Sequence, residues 1–515
     1  MIGSEDDGGA AGEGRHASAV TPSAVRSDQS GTQAQSMVTR LLCAGVHLDA
    51  AYAESVIKEL LKSGRRFVAP SYGFDVLPVL GHALLAGDRQ KLKRRVIFLS
   101  PLVPVVCLVF GGKGLVIGVF LWLWLTWAAI FLEKLTTRQI LTSRLKTSTA
   151  GQTRFNGGTP RHRQLTETVS RRIAREQDSR NGVVYYSGYR PFVGAGTSMK
   201  SWSFPILLNA ASDPMSSNGM TSVAAESSNN RQIKSFTRDE MLSYVEERLE
   251  LALRTDVPEE ERVAGLDLTR RWYRTAIGRH RPRPSEEPGA LLRQGEEGYD
   301  AAREYLCIRV GAWEQELMNS LFVNFDVRGR TLYCELHAYV LPPIQAAYHE
   351  VDRMPERISG RKVAEIAGES FLVMIGEAIG AGITIFFWPL RLFQLWQSRK
   401  SLDSVQETEV DEAWDHPSHR TDEIKDFGAR QSIRELATST KFHHFFQSVD
   451  ATKYAKIVER RLLEIILDFL EEKNVDTGEY RARQAAILNY GIIQTGSGKI
   501  VNTGTMAVGQ DASAS

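Results

Sequence analysis

Apolar residues are unevenly spread along the chain. Val96 to Phe110 carries no charge, Gly111, Gly112, Lys113 and Gly114 interrupt the run, and Leu115 to Leu132 is again uncharged, with Trp122, Trp124 and Trp127. A bilayer core of about 30 Å needs about 20 apolar residues per helix, so the pair predicts a transmembrane helical hairpin over 96–132. Pro101 and Pro104 free backbone groups that a partner helix can satisfy. The tryptophans suit a membrane–water interface. Lys91, Lys93, Arg94 and Arg95 precede the hairpin and Arg138 and Arg144 follow it, whereas its turn holds only Lys113. By the positive-inside rule both ends face the cytosol. A third apolar block, Phe371 to Leu390, contains one charge, Glu377. Residues 361–400 are therefore expected to associate with the membrane; a full span, a re-entrant hairpin broken at Gly380 and an interfacial helix all fit.

The intervening patterns predict an α+β domain over 181–360. Val183 to Tyr186, Ser203 to Leu208, Tyr305 to Trp313, Ser320 to Val327 and Thr331 to Leu341 read as five strands, with Arg328-Gly329 as the last hairpin turn. An antiparallel sheet with helices on one face follows, joined through loops at Asp213–Ser235 and Arg281–Asp300. Thr237 is placed to cap a helix to Leu253, and Asp49 to cap one ending at Gly64. Residues 37–95 read as a helical juxtamembrane segment and 133–180 as a basic linker beside the leaflet. Residues 401–426 form an acidic linker, and 427–484 a helical region with Asp450 as a cap.

Composition adds limits. Residues 1–36 are rich in Gly, Ser and Ala, lack aromatics, and cannot offset their ordering entropy, which predicts disorder. The 515 residues suggest roughly three units. Lys plus Arg number 63 against 61 acidic residues, so the net charge of +2 gives no signal for nucleic acid. Four cysteines, at 43, 107, 307 and 334, fit neither a disulfide framework nor metal-ligand spacing. No cofactor, metal or catalytic constellation is expected. Asp426-Phe427-Gly428 matches the magnesium-binding tripeptide of kinases but lacks the other kinase elements.

Two stretches hold the candidate sites. Tyr186 to Gly196, with Gly188, Arg190, Gly194 and Gly196, could cradle an anion, as in a membrane-bound enzyme or ligand sensor; the same glycines could simply make tight turns. The tail over 485–515 repeats a pattern at an offset of 13 residues. Ile487, Asn489, Gly491, Ile493 and Gly496 recur as Ile500, Asn502, Gly504, Met506 and Gly509. Stacked β-arcs need such Gly, Asn and aliphatic positions; a disordered end or two small strands would also accommodate them.

The tail resembles the amyloid-type signalling motifs of bacterial proteins and, more loosely, the RIP homotypic interaction motif, with Ile493-Gln494-Thr495-Gly496 at its centre. The hairpin, the Tyr-Arg-Pro-Phe-Val-Gly loop and the strand ending in Pro342-Pro343 resemble uncharacterised actinobacterial multi-pass membrane proteins. The first resemblance implies self-assembly; the second implies a membrane location and no particular activity. The expected partners are the lipid bilayer and either a homotypic tail or another protein. The expected function is a membrane-anchored interaction or signalling scaffold.

Overall fold

A computed structural model describes residues 36–147, 155–178, 182–211, 232–282, 301–355, 359–386, 424–489, 493–494 and 500–501. The helices are α1 (Met37–Leu48), α2 (Ala50–Ile57), α3 (Val76–Leu99), α4 (Leu102–Cys107), α5 (Gly111–Ile140), α6 (Glu167–Gln177), α7 (Arg238–Glu250), α8 (Glu350–Arg353), α9 (Gly360–Phe386), α10 (Ile433–Leu436), α11 (Phe445–Glu472) and α12 (Gly478–Asn489). The strands are β1 (Val183–Tyr186), β2 (Thr197–Leu207), β3 (Leu266–Thr275), β4 (Ile277–Gly278), β5 (Arg303–Ala312), β6 (Leu317–Arg328), β7 (Thr331–Leu341), β8 (Lys425–Asp426), β9 (Ile493–Gln494) and β10 (Ile500–Val501).

The main sheet has six strands in the order β1-β3-β5-β6-β7-β2. β1 pairs with β3 in parallel, and the other neighbours are antiparallel. The sheet is therefore mixed and not the five-stranded antiparallel one the pattern predicts. The addition is β3, whose Asp267, Arg270, Arg271 and Arg274 hide its alternation. The turn between β6 and β7 falls where expected, with Gly329 at φ +59°.

One face of the sheet is apolar. Leu306, Ile308, Leu321, Val323, Phe325 and Leu336 pack against Met241, Val245 and Leu249 of α7 and against Leu462, Ile466 and Phe469 of α11. Each such side chain contributes about 1.5–3 kcal/mol on full burial. Thr237 caps α7 as expected, its hydroxyl accepting from the Glu240 N–H at 3.2 Å. α11 begins six residues earlier than its pattern suggests, with His444 as N-cap in place of Asp450. Asp450 lies inside this helix and accepts from Trp313 Nε1 at 3.0 Å instead of capping.

A second core joins the N-terminal helices to distant segments. Leu41, Leu42, Val56, Val79 and Leu80 pack with Leu141, Leu145, Ile173, Ile344, Tyr348 and Ile433. The buried Arg40 guanidinium grips Asp352 through two bonds of 2.7 and 2.9 Å. Helices from 37–95, read from the pattern as a juxtamembrane segment, build this core, and Leu141, Leu145 and Ile173 of the stretch read as a linker pack in it. Asp49 caps α2 as expected, accepting from Ala51 and Tyr52.

α3 leaves this core without a break. Its first half is buried, and beyond Arg89 most of its side chains are not. The chain turns at Gly111, φ +76°, and α5 runs back along α3 and α4. Contact is close, because a Cβ at Gly118 would lie 2.7 Å from Pro104 Cα and 2.8 Å from Cys107 Cβ. α9 completes the bundle: Met374 packs with Ile97 and Ile130, and Trp127 Nε1 donates to the Ala367 carbonyl at 3.1 Å. Among the described residues, one helical run, Val76–Leu145, is long and apolar enough to cross a membrane, and 17% of its most apolar stretch is buried.

Several expectations fall outside the described residues: disorder over 1–35, most of the two loops, residues 387–423 of the third apolar block and acidic linker, and the tail positions Gly491, Gly496, Asn502, Gly504, Met506 and Gly509. Ile487 and Asn489 lie in α12 and not in a β-arc. The reason is tertiary: Ile487 packs on the main core, and its carbonyl accepts from Lys200 Nζ at 3.3 Å. β9 and β10 pair antiparallel, joining Ile493 to Val501 and Gln494 to Ile500.

Candidate functional site

The other face of the main sheet is polar and aromatic, yet buried. β3 contributes Asp267, Thr269, Arg271 and Tyr273, two residues apart and so on one side. Register sets Asp267 opposite Arg309, Thr269 opposite Cys307 and Arg271 opposite Tyr305. β6 then places Ser320 beside Arg309 and Phe322 beside Cys307. Phe192, from the loop before β2, stacks on Phe322 at 4.0 Å and meets the edges of Tyr273 and Tyr305. Tyr72, from the loop between α2 and α3, covers the arginine end. The guanidinium carbons of Arg271 and Arg309 lie 5.6 and 5.1 Å from its ring centre.

Burial dominates the acid–base chemistry. It pushes the Cys307 thiol up, which keeps it protonated and a poor nucleophile; the Tyr273 hydroxyl, 3.3 Å away, is pushed up as well. Glu335 behaves differently. Burial opposes its ionisation, but hydrogen bonds from His337, Asn324 and Tyr305 outweigh this and hold its carboxyl at about 2. All four cysteines are free thiols. Among the described residues no group of three or more His, Cys, Asp or Glu is placed to hold a metal ion.

The loop carrying Gly188, Arg190, Gly194 and Gly196 does form a cradle, and the chain itself fills it. The N–H groups of Gly194 and Gly196 each donate to Glu435 Oε1 at 3.0 Å. Oε2 of the same carboxylate accepts from the Ser432 N–H at 2.9 Å. Burial raises the Glu435 pKa; these three donors and the Arg190 charge oppose the rise. Gly194 and Gly196 have φ of +88° and +92°, the left-handed geometry that aims both amides at one oxygen. Gly188 and Arg190 stay exposed at the loop's rim.

The Asp426-Phe427-Gly428 tripeptide also does structural work. Asp426 accepts from Ser187 Oγ and from the Gly428 N–H, and Phe427 packs with Phe67 and Tyr185. A Cβ at Gly428 would run into the Tyr186 and Ser187 backbones. Gly428→Ala is expected to cost about 3 kcal/mol, read as a lower denaturant midpoint, because main chain cannot step aside as a side-chain tip can. A midpoint equal to wild type would show that the two segments separate freely.

The helical bundle is the second candidate site. Val109 is 83% exposed, Phe110 79% and Phe120 72%, and Val105, Val106, Val116, Ile117 and Leu372 are exposed too. Charges gather at the base of the bundle: Lys93 pairs with Glu133 at 3.1 Å and Lys134 with Glu369 at 3.5 Å. Inside, Ser100 and Thr126 share a buried hydrogen bond of 3.3 Å.

Together these features define an α+β protein, its sheet backed by two long helices, that carries a helical bundle whose surface, among the described residues, exposes large apolar side chains. The family model of the AbeC-like domain matches residues 201–506, more than half of the chain, and the chain belongs to that family. The match begins in β2, so α1 to α6, β1 and the whole hairpin precede it. No curated protein and no solved structure matches the chain.

The sequence pattern points to the glycines of the loop but not to Tyr72, Arg271, Arg309, Glu435 or Arg434. Five residues scattered over four segments show no spacing signal. Strand pairing sets Arg271 and Arg309 on neighbouring strands, and the loop before α3 and the short helix α10 bring up the others.

Proposed function

We propose that this chain is a membrane-anchored interaction protein of the AbeC-like family. Helices α3, α4, α5 and α9 embed a multi-pass bundle in the bilayer, and the sheet domain stays on the cytosolic side with the basic ends of the hairpin. The uncovered apolar surface of the bundle carries the proposal. Monomeric soluble proteins rarely expose contiguous apolar patches beyond a few hundred Å². The uncharged part of α5, Leu115 to Leu132, spans about 27 Å at 1.5 Å per residue, close to the bilayer core. The ion pairs at the bundle base mark the level of the headgroups.

The tail supplies homotypic contacts. The pairing of Ile493-Gln494 with Ile500-Val501 supports a β-forming end, and tethering to a membrane raises the effective concentration of weak tail contacts. The anchor is tested by flotation with liposomes and by alkaline carbonate extraction. The full-length chain is expected to float and to resist extraction; recovery in the soluble fraction after carbonate would refute the anchor. Assembly is tested separately, by comparing the full chain with one ending at residue 484. Equal oligomer size for the two would refute the tail's role while leaving the anchor untouched.

A further inference from the structure

The arginine end of the covered sheet face lacks a charge. Arg271 is 2% exposed, and its Nε and Nη1 have no hydrogen-bond partner. Arg309 is buried beside it, and its Nε is unpartnered too, although its Nη2 meets Asp267. The hydroxyls of Tyr72, Thr269 and Ser320 around them are buried without partners as well. Two buried guanidinium groups thus stand beside one carboxylate, which is bonded to Arg309. Arg434, also buried, is spent on the carbonyls of Tyr72, Gln315 and Glu316 and adds no acceptor. Unpaired buried charge is costly, and unsatisfied donors in such numbers at one spot are rare in native proteins.

We propose that this cluster binds a phosphate group, with Arg271 as its anchor. Guanidinium N–H groups suit phosphate oxygens, and the surrounding hydroxyls approach from other directions, which suits a tetrahedral anion better than a flat carboxylate. Register supports the convergence: Thr269 and Arg271 lie on one side of β3, and Arg309 faces both Asp267 and Ser320 across its two neighbours. The Asp267 side chain is 38% exposed, so the cluster reaches the protein surface at that end. The site lies in the sheet domain, away from the apolar bundle, and does not depend on membrane insertion.

The test uses the full-length chain in detergent, exchanged into chloride buffer free of oxyanions. Inorganic phosphate and pyrophosphate are titrated by calorimetry and by thermal unfolding, with acetate as control. Wild type is expected to show saturable binding and a rising Tm with the phosphates only. Arg271→Met is expected to unfold at the wild-type temperature or above in chloride, because an unpaired buried charge is gone, and to weaken binding by at least about 30-fold. Arg309→Met gives the same reading if Arg271→Met does not fold. Exposed Arg190→Ala should bind as wild type does. Absence of a saturable response in wild type, or its loss in Arg190→Ala but not in Arg271→Met, overturns the proposal. Repeating the titration in nanodiscs identifies the source. A response abolished by phosphoinositide assigns a lipid headgroup, and an unchanged one assigns a free phosphorylated compound.

Discussion

Arg434→Ala is expected to lower the unfolding free energy by about 4 kcal/mol or more. The side chain is completely buried and donates to three carbonyls: Tyr72 O, Gln315 O at 2.6 Å and Glu316 O at 2.9 Å. Each buried carbonyl left without a donor costs about 1–3 kcal/mol. The arginine ties α10 to the loop between α2 and α3 and to the turn between β5 and β6. That turn is strained, because Trp313, Glu314 and Gln315 all have positive φ, at 53, 55 and 69°. Left-handed geometry costs roughly 1–2 kcal/mol per ordinary residue, so the turn needs such a clamp. Burial pulls the Arg434 pKa down to about 9, opposed by the Glu316 charge. Its three carbonyl contacts hold the buried guanidinium in place. Denaturant unfolding in detergent checks the prediction, and a wild-type midpoint would show that the three segments hold together without it.

The second large effect belongs to the bundle. Phe120→Arg combined with Trp124→Arg is expected to abolish stable flotation with liposomes. Both positions are exposed on the uncharged part of α5, and an arginine near the centre of a spanning helix costs roughly 2.5–3.5 kcal/mol on insertion scales. Leu92→Arg is the control. Leu92 is also exposed, at 62%, but lies among Lys91, Lys93 and Arg94, below the apolar band. It should float like wild type. If the bundle faced water, all three substitutions would be harmless to partitioning, because exposed surface positions tolerate arginine. A double variant that floats normally would therefore remove the membrane reading.

Local signals in the sequence correspond closely to local structure. Thr237 and Asp49 cap their helices where their side-chain chemistry requires, and Gly111 turns the chain between two uncharged runs. Signals fail where distant segments meet. β3 escapes notice because both its faces carry polar residues, one of them buried beneath Tyr72 and Phe192, so the usual alternation is absent. Its parallel pairing with β1 joins Val183 to Trp272, and no turn chemistry announces it. Glu435 enters the glycine cradle from more than 200 residues away, which makes the loop look open to a ligand when read alone. Arg40 and Asp352 likewise form one ion pair across most of the chain. In the tail the repeat looks regular in sequence, while Ile487 lies in α12 against the core it touches.

The uninterrupted course of α3 has a mechanical corollary. One rod of about 36 Å reaches from among buried neighbours at Val79 and Leu80 into the greasy leg, with Ile97 seated against α5 and α9. No pliable joint lies along it, and the return leg is pinned at Leu141 and Leu145 in the same inner packing. If the bundle is the bilayer anchor proposed above, any change in lipid thickness or lateral pressure that tips it passes along this rod into the core of α1 and α2, and any load on that core leans on the lipid.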